Sequence, residues 1–188
     1  MVPGSDSSVN VAAAWQRAHA ACVDATSRLI AAEVAPDALA EYVPERGTFV
    51  WRRKATMRPL GATWRLGTLL LATDGALYAH GQSTRAAERG RPSFQSESRE
   101  VRREIAAAAL RGGFAIGAPV DFDAVLLIDA AGTPVSSSPT PLELPLGFAD
   151  GEVRVRWRTG APLAGAQTLT AFLAERVDLL IDPPFGRE

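Results

Sequence analysis

The stretch L-L-L-A-T-D-G-A-L-Y-A-H, residues 69–80, constrains this chain more than any other. Asp74-Gly75 between two apolar runs is the signature of a tight β-hairpin, because such turns need backbone with positive φ that glycine adopts without strain. A loop this short can only join antiparallel strands. Strict alternation of strand and helix is missing elsewhere, so a doubly wound nucleotide-binding sheet is not expected.

Helical periodicity is clearest near the N-terminus. Val11, Trp15, Ala18, Cys22, Ala25 and Leu29 fall on one narrow face, with Arg17, Asp24 and Arg28 opposite. Ser8 or Asn10 supplies a cap and Pro36 an end. A short second helix is expected over residues 37–43, stopped by Pro44. Residues 49–53 and 63–72 read as strands, and residues 81–96 show neither period and read as a long loop.

Q-S-E-S-R-E-V-R-R-E-I-A-A-A-A-L-R-G-G follows, a helix over 97–111 closed by Gly112-Gly113, with Val101, Ile105, Ala108 and Ala109 as its buried side. Residues 120–129 read as one strand, and P-V-S-S-S-P-T-P at 134–141 as a rigid polar connection. E-V-R-V-R-W-R alternates, placing Val153, Val155 and Trp157 on one face and Arg154, Arg156 and Arg158 on a wet one. Residues 169–181 fit a closing helix before Pro183-Pro184. The expected architecture is a single α+β domain over 1–188, with residues 1–8 flexible. Its antiparallel sheet packs with an N-terminal, a middle and a C-terminal helix. A small, partly closed barrel is the next arrangement.

At 188 residues with 47% hydrophobic and 22% charged content, the chain can bury a core and does not have a disordered composition. No apolar run approaches the ~18 residues of a membrane span. The opening M-V-P-G-S-D-S-S has no basic flank or apolar run, so a cytoplasmic protein without a secretory signal is expected. Net charge is −1 but unevenly placed. Residues 46–111 carry twelve arginines and Lys54 against five acids, while both flanking segments are acidic. Charge asymmetry of this kind marks either an anion-binding surface or internal neutralisation.

Catalytic and metal signatures are sparse. The one cysteine, Cys22, lies near His19 but inside the apolar stripe, where a small buried core residue is the plainer reading. Two histidines 61 positions apart have no metal-ligand spacing. Asp121 and Asp123 share a strand face and read as solvated carboxylates, with a hard cation as the alternative. No phosphate-loop, dinucleotide or nucleophile-elbow motif occurs. No cofactor and no metal is expected.

His80 ends the hairpin and opens the 81–96 loop, where it offers a titratable group. Within the loop, Arg85, Arg89 and Arg91 face only Glu88, and the loop runs into a helix start where free N–H groups favour an anion. Arg99 and Arg103 on that helix form a like-charged i,i+4 pair. Three glutamates nearly neutralise the helix, which disfavours nucleic acid as the partner. The expected function is a non-catalytic binding module. Arg85, Arg89, Arg91, Arg99, Arg103 and His80 would receive an anionic or phosphorylated small molecule or an acidic protein surface. The alternatives are a self-associating scaffold, forming a homo-oligomer, and an enzyme with a dispersed site near His80.

Overall fold

A computed structural model describes residues 5–47, 53–90, 97–135 and 144–184, with side chains from residue 10 onward. The elements are α1 (Ser5–Ala31), β1 (Asp37–Val43), β2 (Thr56–Leu66), β3 (Leu69–Ala72), β4 (Leu77–Ala79), β5 (Gln82–Arg85), α2 (Glu97–Arg111), β6 (Pro119–Phe122), β7 (Val125–Ile128), β8 (Leu146–Ala149), β9 (Glu152–Val155) and α3 (Leu169–Ile181). Seven strands form a mostly antiparallel sheet of order β5-β6-β1-β2-β3-β4-β7, and β8 pairs with β9 separately. The fold is α+β. The sheet has two ends, β5 and β7, so the barrel arrangement is not adopted. Among the described residues no helix is long and apolar enough to cross a membrane. The expected strand at 49–52, the segment 136–141 of the polar connection and residues 1–4 lie outside the described residues.

The chain divides into two compact units. The first joins residues 1–35, 64–79 and 125–188. Its core sets the α1 stripe of Ala14, Ala18, Cys22, Ala25 and Leu29 against Leu69 and Leu71 of β3, Val153 and Val155 of β9, and Leu169, Phe172, Leu173 and Val177 of α3. Gly132 makes room for the His19 side chain of α1: a Cβ on Gly132 would lie 2.5 Å from His19 Nδ1. Trp64 is buried and donates from Nε1 to the Val34 carbonyl at 2.8 Å, so its polar edge is satisfied. α3 begins at Thr168, whose hydroxyl accepts from Ala171 N at 3.3 Å.

The second unit joins Pro36–Thr63 and His80–Ala124. β1 pairs antiparallel with β2 and parallel with β6, and β5 pairs antiparallel with β6. Ala108 and Ala109 of α2 pack on Ala40, Met57, Val120 and Phe122. Only Ala107, Ala108 and Ala109 of α2 are buried, whereas Val101 is 53% exposed. The apolar stripe read from the wheel therefore extends too far toward the helix start. Pro59 sits where the β1–β2 register shifts, so a residue with no N–H occupies the irregular point of the ladder.

Four local expectations are corrected. Residues 37–43 form the interior strand β1 rather than a helix, because pairing on both edges outweighs the helix propensity of Ala, Leu and Glu. The strand read over 63–72 is two strands, turned at Gly67 with φ +64°. The strand read over 120–129 is likewise broken, at Asp123 with φ 53°. Finally, β9 ends at Val155, and the alternation fails beyond it. Arg156 is 5% exposed while Trp157 is 70% exposed, the reverse of the expected faces.

Candidate functional site

The second unit holds every residue expected at the arginine site. The loop expected over 81–96 begins as the edge strand β5, which Arg85 ends. Beyond it the chain stays ordered against its neighbours. Ala86 is fully buried, its N–H bonded to the Ala118 carbonyl and its own carbonyl receiving Gly117 N at 2.7 Å. Ala87 N then donates to Ala106 O on α2 at 3.2 Å. This path carries Arg89 alongside the helix.

Arg89 Nη2 meets Glu100 Oε1 at 2.6 Å, and Nε lies 3.2 Å from Glu104 Oε2. The Glu100 hydrogen bond, then the Glu104 charge, push the Arg89 guanidinium further above its already high range. Glu104 also pairs with Arg111, whose Nε donates to Ala55 O at 2.6 Å. Two arginines and two glutamates thus neutralise one another along one stripe of α2. Arg85 donates to the Gly117 carbonyl at 3.1 Å, and Arg102 caps back onto Ser98 O at 3.1 Å. Arg99 is exposed in the first turn, and Arg103 is half-buried one turn on. Among the described residues neither Arg85 nor Arg99 makes an ion pair. Arg91 lies outside the described residues.

His80 belongs to a different place. It precedes β5 while Arg85 ends it, and an extended strand separates such positions by roughly 15 Å. His80 Nε2 lies 3.4 Å from Asp121 Oδ1, with the two side chains 16% and 4% exposed. Asp121 occupies the middle of β6, opposite Ser83 of β5. The reading of Asp121 as a solvated carboxylate is overturned: it is among the few buried charged residues. Asp123, by contrast, is exposed beyond the strand end and accepts from Gln82 Nε2 at 3.2 Å. Backbone closeness fixes this corner, since a Cβ on Gly81 would fall 2.2 Å from Asp123 O.

A buried carboxylate is costly unless a partner compensates it, and an adjacent imidazole supplies that partner while being oriented by it. Such a pair can hold and pass a proton. Sequence reasoning picked out His80 but not Asp121 as its companion. The available signal was an acid set between two core residues, Val120 and Phe122, in an otherwise apolar strand. Among the described residues no group of three His, Cys, Asp or Glu side chains is placed to hold a metal ion.

No family model, no curated protein and no solved structure matches the chain. The functional reading therefore rests on the residues themselves.

Proposed function

We propose that this protein is a non-catalytic binding module whose second unit receives an anionic or phosphorylated ligand, or an acidic protein surface, beside the start of α2. The observation that carries this reading is the pairing of Glu100 and Glu104 with Arg89 and Arg111, which leaves Arg99 with no ion pair among the described residues. A cation in the first turn is opposed by the helix dipole. An anion held by Arg99 and Arg103 and by the open N–H groups would relieve that opposition. The second unit as a whole carries eleven arginines and Lys54 against nine acids, so its field attracts anions.

Inorganic phosphate and a polyglutamate peptide, titrated separately, should raise the melting temperature with concentration, because each stabilises the native state that binds it. Arg99→Gln should remove the shift, and Arg103→Gln should reduce it. Indifference of the melting curve to both anions, or an unaltered shift in Arg99→Gln, would refute the site.

A second reading, an enzyme with a dispersed site at His80, is favoured by the burial of Asp121 at 3.4 Å from the imidazole. In that case His80 would transfer a proton and Asp121 would position it. Diethyl pyrocarbonate labelling distinguishes a working imidazole from a structural one. A reactive His80 that is slowed by Asp121→Asn supports proton chemistry, and an inert one rejects it.

A further inference from the structure

A cleft of about 450 Å³ opens in the first unit, apart from everything assigned above. Its walls come from the end of β9, the first turns of α3 and the β2–β3 turn. Arg156, Trp157, Phe172, Arg176, Gln167 and Thr68 face it. Its volume lies in the ~300–1,000 Å³ range of small-molecule sites.

Charge is concentrated here against the local average. The first unit carries eight arginines against twelve acids, and two of those arginines, Arg156 and Arg176, line this one cleft. Arg156 is 5% exposed and, among the described residues, meets no carboxylate. Nε donates to Ala161 O at 3.0 Å, and Nη1 to Leu144 O at 2.7 Å and Leu146 O at 3.0 Å. Carbonyl dipoles of residues 144, 146 and 161 hold the guanidinium beside Gly147, where an added Cβ would lie 3.1 Å from Nη2, so Arg156 stiffens this wall of the cleft rather than offering a free fork to it.

Arg176 supplies the cation of the cleft. Its guanidinium lies 5.3 Å from the Phe172 ring centroid, and among the described residues its Nε is buried without a hydrogen-bond partner. Glu175 lies 3.8 Å from Arg176 Nη2 and accepts from Gln167 at 2.9 Å, a loose and half-exposed pairing that does not satisfy Nε.

The same cleft offers flat apolar surface. Trp157 is 70% exposed at its edge, with Arg158 stacked 4.4 Å from the ring centroid. Gly67 lines the cleft next to Phe172, where a Cβ would meet Phe172 Cζ at 3.5 Å, an ordinary contact distance. A large exposed aromatic ring beside a cationic pocket is the arrangement that grips a planar anion. Rings stack on indole and phenyl faces, and a carboxylate takes the charge-assisted bonds of guanidinium groups.

We infer that this cleft binds a small aromatic carboxylate, its anionic end toward Arg176 and its ring against Trp157 and Phe172. The site is independent of the anion surface on α2.

Isothermal titration calorimetry of the full chain with 2-naphthoate and naphthalene-2-carboxamide tests this. The carboxylate should bind saturably, and the amide at least about tenfold more weakly, since it lacks the charge that a guanidinium recognises. Arg176→Gln and Trp157→Ala should each weaken naphthoate binding by a similar factor. Both side chains are substantially exposed, at 40% and 70%, so these variants keep the fold, which circular dichroism verifies. Arg58→Gln, at an exposed arginine of the other unit, should leave naphthoate binding unchanged. The inference is overturned by absent or non-saturable naphthoate binding, by equal binding of the amide, by wild-type affinity in either cleft variant, or by loss of binding in Arg58→Gln.

Discussion

Arg89 Nη2 stands 2.6 Å from Glu100 Oε1, joining the segment after β5 to the first half of α2. Glu104 extends the contact on the next turn, so the loop arginine anchors its own segment to the helix. Exposed ion pairs depend on sign and screening more than on the identity of the partners. Arg89→Glu should therefore lower the urea midpoint at low ionic strength, and the exchange Arg89→Glu/Glu100→Arg should restore most of it. In 1 M salt, where screening acts within about 3 Å, the difference should shrink. Equal midpoints for the single and double variants would show that the pair does not hold the loop.

Cys22 is fully buried in the α1 stripe, and burial pushes its thiol up from 9.0 to about 12. The thiolate is the reactive form, so the native protein at pH 8 should react with a disulfide reagent only as fast as it opens. Linkage adds a pH dependence of known sign. A raised folded-state value means that below pH 9 the thiol is protonated in both states and costs nothing. Between pH 9 and about 12 only the unfolded chain loses the proton, so stability should fall by up to about 1.4 kcal/mol per pH unit across that window. Comparing urea midpoints of wild type and Cys22→Ala from pH 8 to 10.5 isolates this contribution. Parallel curves would contradict it.

Arg156 ties three carbonyls from two segments, 144–146 and 161, to the end of β9. Arg156→Met would leave those acceptors without their donor, and each orphaned buried group costs about 1–3 kcal/mol. A loss of at least about 3 kcal/mol is expected in urea unfolding. Arg156→Lys should rescue little, because one ammonium cannot reproduce a planar fork aimed at three oxygens. A midpoint near that of wild type for either variant would remove Arg156 from any structural role.

Legibility followed the range of the interaction. Asp74-Gly75, the α1 stripe, the closing helix Leu169–Ile181 and the bounds of α2 were all readable, since each depends on residues within a few positions of one another. Breaks inside apolar runs were not. Gly67 and Asp123 divide strands whose residue types continue unchanged on both sides, so only backbone with positive φ marks the turn. Nor did local propensity show that residues 37–43 would be enclosed by β2 and β6.

The candidate sites divide in the same way. Arginine enrichment and the placement of His80 are properties of the sequence alone. Tertiary structure decided which side chains meet: Arg89 met Glu100, His80 met Asp121, and Arg156 turned inward among carbonyls while Trp157 turned out. Strand alternation predicts faces only while the strand lasts, and β9 stops at Val155. Beyond that point the fate of a side chain is set by distant backbone groups in need of a donor, and such long-range pairing leaves no periodicity in the chain.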